Sequence, residues 1–311
     1  MTRNIHPVHL RLQGARMPET PPLTHLFAFE QTNDKVRPFI MAEFAANGER
    51  NLVLSDSLIR EVIKNPRAAK TLRKDLETSG VKFVDAHAPY GVIEDLDLPF
   101  EGMRAGMIAR HKLALEVVAE LGVESITMHV GNTPEEFVPF SLDQLHGFIL
   151  RSLDELLPVA SRLGVVIAIE NVWFPTNTPE KLLAILDHFR SPNLGLCFDA
   201  GHANLMARDR GAPDSNPVQA WRRFGPVPYD EAVLDKMLPY VTTCHLHDNN
   251  GLWDHHLLPG RGEIAWAPLV AKLKTAPRLK CIQNEVNGLY SGASIADSCR
   301  VFRGLVETGE L

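Results

Sequence analysis

Histidines and carboxylates recur in this sequence at one kind of position, the C-terminal end of a short apolar run. His87 closes VKFVDAH, His129 stands near the end of SITMHVG, Glu170 ends the apolar part of VVIAIEN, and Asp199 and His202 close LGLCFDAGH. His245 and His247 fall in VTTCHLHD, Asp254 and His256 follow in WDHH, and Glu285 lies in LKCIQNEV. A lone carboxylate in an apolar run, as at Glu170, is costly to bury without a positive partner. No Lys or Arg occurs in 87–90, 129–132, 170–174, 199–205, 245–251 or 285–289. Imidazoles and carboxylates converging without a basic side chain point to a divalent cation. Donors of this kind suit Mn²⁺ or Zn²⁺, with Co²⁺, Fe²⁺ and Mg²⁺ as alternatives, whereas so many imidazoles argue against Ca²⁺.

Positioning these residues requires strands. Eight apolar runs are evident, at 26–30, 51–55, 81–87, 125–131, 165–171, 194–202, 241–248 and 279–286. Most are near-continuous in Val, Ile, Leu, Phe and Cys, which suits parallel strands covered on both faces. Helical signals lie between them. Residues 102–121 carry apolar residues at spacings of three and four and stop at Gly122. Ser141 and Gln144 form a capping-box pattern opening 142–163, and Thr178-Pro179 opens the next helix as N-cap and N1. Residues 230–239, 266–275 and 293–307 also read as helices.

Eight strands alternating with helices predict an α/β fold of the (β/α)8 TIM-barrel type, whose active sites sit at the C-terminal ends of the strands. A doubly wound open sheet is the alternative, but no GxGxxG turn follows the first run. The expected organisation is an arm over 1–22 and one barrel domain over 23–311. Residues 207–228, rich in Pro, Gly and Arg, interrupt the barrel after the sixth strand. Trp221, Arg222 and Arg223 of that insertion are candidates to line a pocket.

The balance of 32 Lys and Arg against 38 Asp and Glu gives a net charge of −6, and the loops GVIEDLDLPFEG and GNTPEEFVPF are acidic. Such a face is a poor match for phosphate backbones, so no nucleic-acid partner is expected. No apolar run is long enough for a transmembrane helix, and the first residues carry no secretory apolar segment, so no membrane partner is expected. Cys197, Cys244, Cys281 and Cys299 are too widely spaced for a CxxC site and read as reduced, buried thiols of a cytoplasmic protein.

The segments IEN (169–171), FDAGHAN (198–204) and HLHDNNGLWDHHLLPGRGEI (245–264) together resemble the xylose isomerase-like barrels. These include sugar isomerases and epimerases, inosose dehydratases and type IV apurinic endonucleases. The resemblance runs over roughly residues 80–290. It implies a metal site of Glu170, Asp199, His245 and Glu285, with His245 and Asp248 matching a His-x-x-Asp pattern. It also implies that Glu170 and Glu285 act as the catalytic pair, one carboxylate removing a proton beside a carbonyl and the other returning it. His87, His129, His202 and His247 become substrate-binding candidates. In the endonuclease branch, His87, His129, His202, Asp254 and His256 would hold further metals.

The implied function is a divalent-metal-dependent isomerase or epimerase acting on a small sugar-like molecule; the alternatives are a metal-dependent lyase on a sugar derivative and an apurinic endonuclease-like phosphodiesterase. The resemblance is also compatible with a homo-oligomer. The chain departs from ketose 3-epimerases at two positions: Gly251 replaces their arginine six residues after the strand-seven histidine, and Thr176 replaces a glutamate six residues after Glu170. These departures point away from a free ketose, toward a larger glycoside, a keto-sugar derivative or a cyclitol.

Overall fold

Short strands buried on both faces dominate the centre of the computed structural model, which describes residues 21–134 and 137–311. They are β1 (Leu23–His25), β2 (Asn51–Leu54), β3 (Lys82–Ala86), β4 (Ser125–Met128), β5 (Val166–Glu170), β6 (Leu194–Asp199), β7 (Val241–Leu246) and β8 (Cys281–Asn284). Every residue of β4 through β8 is buried. The eight strands are parallel in the order β3-β2-β1-β8-β7-β6-β5-β4. A single bridge between His87 and Thr127 joins the two edges, with the Ala88 amide donating to the Thr127 carbonyl at 2.9 Å. The sheet is therefore a nearly closed barrel, and a site histidine stands on its seam.

Parallel neighbours need long crossovers, and helices supply most of them. They are α1 (Arg37–Ala46), α2 (Asp56–Lys64), α3 (Ala68–Ser79), α4 (Glu101–Glu120), α5 (Leu142–Leu163), α6 (Pro179–Phe189), α7 (Ala200–Ala207), α8 (Asn216–Trp221), α9 (Val233–Met237), α10 (Trp266–Leu273), α11 (Gly288–Ser291) and α12 (Ile295–Glu307). The sequence signals for α4, α5 and α6 are realised closely. Ser141 and Gln144 form a complete capping box, and Thr178 accepts from the Lys181 amide. Gly164 takes a left-handed conformation at φ 71°, which a side chain would strain.

Two strand ends differ from expectation. The first strand is Leu23–His25, not 26–30, and Phe29–Gln31 forms a 3-10 turn. Apolar content misplaced it because this strand carries buried polar side chains. His25 and Thr24 are both fully buried, and His25 Nδ1 meets Asn284 Nδ2 at 2.9 Å. The sixth strand stops at Asp199 rather than running to 202, because Asp199 caps α7: its Oδ1 accepts the His202 amide at 2.6 Å.

The expected arm over 1–22 falls outside the described residues except for its last two, of which Pro22 accepts from the Ile282 amide at 3.0 Å. The four cysteines are free and buried. Among the described residues, no helix is long and apolar enough to cross a membrane.

Candidate metal centre

Strand ends deliver the predicted residues to one place. Glu170, at the end of β5, is 1% exposed and is ringed by imidazoles. Its Oε1 lies 3.0 Å from His202 Nδ1, and its Oε2 lies 3.3 Å from His129 Nε2, 3.6 Å from His245 Nδ1 and 3.8 Å from His87 Nε2. His245 Nδ1 is also 3.1 Å from Glu285 Oε2 and 3.9 Å from Asp199 Oδ2. Asp199, His245 and Glu285 therefore offer donor atoms within 4.8 Å of one another, as do His87, Glu170 and His245, and Glu170, Asp199 and His202.

Beside this cluster lies another. His202, His247, Asp254 and His256 also place donor atoms within 4.8 Å of one another. His247 Nε2 is 3.2 Å from Asp199 Oδ2 and 3.6 Å from Asp254 Oδ1, so it stands between the two groups. Its ring stacks on His256 with centroids 3.8 Å apart and planes 13° from parallel. Position 201 must be glycine for His247 to lie there, since a Cβ at Gly201 would fall 2.0 Å from His247 Cε1. All ten sequence-predicted site residues are thus brought together. His247 is fully buried and lies behind the cavity wall, while His87, His129, His202 and Glu285 line the cavity.

Partners outside the clusters fix which ring atoms face inward. His87 Nδ1 donates to the Ala88 carbonyl at 2.9 Å, leaving Nε2 toward Glu170. His256 Nδ1 donates to the Glu285 carbonyl at 2.8 Å, leaving Nε2 toward Asp254. His245 Nε2 meets Thr127 Oγ1 at 3.3 Å, leaving Nδ1 toward the carboxylates. This outer anchoring is how metal-binding imidazoles are usually oriented.

The electrostatics are those of a site short of positive charge. Burial raises the Glu170 pKa, but His245 and His129 outweigh it and hold the carboxyl well below the usual range. Burial disfavours a charged His202, yet Asp199 and Asp254 keep its pKa well above the ordinary histidine value. His256 behaves alike: burial lowers its pKa, and the neighbouring Asp254 pushes it up to about 10. Burial likewise raises Glu285, and His245 and His256 bring it below its ordinary value.

A divalent cation fits this arrangement. Glu170 Oε2, Asp199 Oδ2, His245 Nδ1, His202 Nδ1 and Asp254 Oδ1 are buried without a hydrogen-bond partner. Leaving such groups unmade costs about 1–3 kcal/mol each, more for charged ones. Among the described residues, no Lys or Arg lines the cavity of about 420 Å³ that Glu170, His202 and Asp254 border. The nitrogen and carboxylate oxygen donors, with no thiolate among the clusters, match borderline divalent ions.

A family model described as a xylose isomerase-like TIM barrel matches residues 41–286. The chain belongs to the xylose isomerase-like TIM barrel family. Three proteins are similar to it. An uncharacterized protein of Methanocaldococcus jannaschii, MJ1311, is 28% identical over 214 residues, covering 68% of this chain and 66% of that protein. The chain thus matches slightly less than two thirds of the length of this curated relative. A crystal structure titled as a D-tagatose 3-epimerase-like protein superposes with a TM-score of 0.70 at 22% identity, covering 92% of this chain and 96% of the other. The IolI protein, solved with a bound zinc atom, superposes with a TM-score of 0.68 at 17% identity, covering 93% and 99%.

Several residues of this family member escaped the sequence reading. Tyr90 packs on His87 and His129 with centroids 5.1 and 4.9 Å away, and Trp173 packs edge-on against His202 at 4.9 Å. Asp248, half of the His-x-x-Asp pattern, anchors a loop: it accepts from the Asn249, Gly260 and Ile264 amides and from the Trp266 indole at 2.9–3.3 Å. Arg210 of the insertion packs over Gly251, where a Cβ would fall 2.0 Å from its Cζ. It bonds Glu263, and the Asn204 carbonyl at 3.1 Å. A guanidinium from another segment therefore covers position 251, one of the two places where the sequence departs from ketose 3-epimerases. At the other, Thr176 is buried and its Oγ1 accepts from Asn177 at 3.1 Å.

Proposed function

We infer that this protein is a divalent-metal-dependent enzyme that transfers a proton at a carbon next to the carbonyl of a sugar, keto-sugar derivative or cyclitol, as an isomerase or epimerase does. The observation that carries this reading is the convergence of Glu170, Asp199, His245 and Glu285 beside a cavity that Glu170 and Glu285 line and that has no Lys or Arg among the described residues lining it. Glu170, Asp199, His245 and Glu285 would hold the ion, and His87, His129 and His202 line the space above them.

When bound, a divalent cation supplies Lewis acidity toward the substrate's carbonyl oxygen. Glu170 and Glu285 both approach His245 Nδ1, at 3.6 and 3.1 Å. Both carboxyls are held ionised by the imidazoles around them, so either can accept a proton. One carboxylate takes the proton from carbon, leaving the electron pair in an enediolate; the proton returned to the opposite face would come from the other carboxyl once it has been protonated from solvent, and the pair would reset by exchanging protons with water. His87, His129 and His202 are placed to bond substrate hydroxyls, and the faces of Tyr90 and Trp173 exclude water from one side of the cavity. The Thr176 and Gly251 departures favour a derivative over a free ketose.

The His202, His247, Asp254 and His256 cluster supports a second reading, in which a further cation serves a lyase or phosphodiesterase. Solvent-exchange measurements separate the two. Metal-loaded protein incubated in deuterium oxide with candidate keto-sugars is expected to place deuterium at the carbon beside the carbonyl. Cleavage of abasic duplex DNA, with no exchange on any sugar tested, would favour the second reading.

A further inference from the structure

A second cavity of about 640 Å³ adjoins the first, and its lining includes a guanidinium whose terminal nitrogens are buried without a hydrogen-bond partner among the described residues. Asn132, Trp173 and Phe174 line both spaces, so the two adjoin. The far wall is α8 and the turn after it, from the 207–228 insertion, contributing Asn216, Gln219, Arg222 and Arg223. This wall is tied to the metal end at two points. Trp221 Nε1 donates to the Trp173 carbonyl at 3.1 Å, and the Asp254 amide donates to Asn216 Oδ1 at 2.7 Å.

Arg223 is the unusual residue. Both Nη1 and Nη2 are buried, and neither has a hydrogen-bond partner among the described residues. The guanidinium carbon sits 4.3 Å from the centre of the Phe224 ring, which fixes the plane of the fork without satisfying its donors. On the same lining, Asn132 Oδ1 and Thr133 Oγ1 are also buried without a hydrogen-bond partner among the described residues, and Thr133 is only 7% exposed. Its backbone is held at φ 46°, a left-handed conformation that a β-branched residue rarely adopts. Buried unmet donors of a charged group are expensive, so a site that keeps them is preorganised for an acceptor. A planar five-donor fork matches the paired oxygens of a carboxylate or phosphate.

We propose that Arg223, with the Thr133 hydroxyl of the same lining, binds an anionic group of the substrate, a carboxylate or phosphate, on the part of the sugar remote from the carbon that reacts. This rests on the functional reading above and sharpens it: the substrate is an acidic sugar derivative rather than a neutral sugar. The metal cavity, walled by Glu30, Asp56, Asp95 and the carboxylates of the centre, repels such a group. The adjoining cavity offers it a guanidinium, which would fix the direction in which the ligand lies.

Binding to manganese-loaded protein tests this with four probes: D-glucose, D-glucuronate, D-glucose 6-phosphate and inorganic phosphate. At low salt, one or both acidic sugars are expected to bind at least about tenfold more tightly than glucose, with the preference shrinking as salt rises. A preference for glucuronate alone identifies a carboxylate site, and one for glucose 6-phosphate with competition by inorganic phosphate identifies a phosphate site. Arg223→Gln should remove the preference while leaving glucose binding and metal content unchanged, and Arg223→Lys should restore part of it. Equal binding of neutral and acidic sugars by the wild-type protein would overturn the proposal without any variant. So would a preference that survives Arg223→Gln in folded, metal-loaded protein. Solvent exchange is read separately: exchange on a sugar with no acidic preference defeats this inference alone, and an Arg223-dependent preference without exchange on any sugar defeats the proton-transfer reading alone.

Discussion

Two groups of side chains meet at the top of this barrel, and they are held there by different means. Glu170, Asp199, His245 and Glu285 stand at or just beyond the ends of neighbouring strands β5, β6, β7 and β8. Ladder register fixes their spacing, as where Asp199 pairs with His245 across β6 and β7. Asp254 and His256 instead ride on a loop. That loop is pinned by Asp248, by Asn216 from the insertion and by the stacking of His256 on His247. A site on strands keeps its geometry whatever the loops do, whereas a site on a loop depends on each of its anchors. The strand group is therefore the core of the centre, and the loop group is the part that variation can retune.

The comparison breaks most visibly in catalysis. Glu285→Gln preserves shape but removes a base, and is expected to lower proton transfer by about 10²–10⁴-fold. Steady-state rates with metal content measured in parallel check this; an unchanged rate would remove Glu285 from the proton-carrying pair. Metal affinity separates the two groups next. Asp199→Asn should weaken the first divalent ion by more than about 100-fold, since even groups outside the ligand shell cost 10–100-fold. Asp254→Asn should weaken it by no more than about tenfold, and equal losses would erase the distinction between strand and loop.

Smaller effects probe the anchors. Gly201→Ala drives a Cβ into the His247 ring and should cost about 1–3 kcal/mol in denaturant unfolding. Asn216→Ala removes one bond to the loop, an expected net cost of about 0.5–1.5 kcal/mol, with the strand group's affinity unchanged. The metal-free protein offers a pH test. His256 is raised to about 10, so its pairing with Asp254 stabilises the fold fully below the unfolded histidine pKa of about 6.5 and fades as pH climbs through 10. Asp254 is depressed, so its share is present above the unfolded aspartate pKa of about 3.8 and fades as pH falls through its lower folded value. The destabilisation by Asp254→Asn should thus be largest between about pH 4 and 6.5 and shrink in strong alkali, as followed by urea unfolding.

The strand group was legible in the sequence because carboxylates ending apolar runs are rare and their chemistry is specific. The helices α4, α5 and α6 were legible through their caps and glycines. The first strand was not, because its buried residues His25 and Thr24 are polar and the apolar signal lies just beyond it. The end of β6 was misplaced because Asp199 serves both as a site residue and as the cap of α7, and the apolar run continues past it. Arg210 over Gly251, and Arg223 and Asn132 on the lining of one cavity, bring together segments distant in sequence, which periodicity and spacing do not encode. Asp248 was visible as part of a motif, but its work in holding the loop depends on amides and an indole up to 18 residues away in sequence.

The account rests on a divalent ion held by the strand group, and titration of chelator-stripped protein with Mn²⁺ and Zn²⁺ tests it most directly. Calorimetry paired with elemental analysis is predicted to show one tight equivalent per chain, lost in Asp199→Asn and retained in Asp254→Asn. A stripped protein that takes up neither ion, or one whose tight equivalent survives Asp199→Asn, would contradict it.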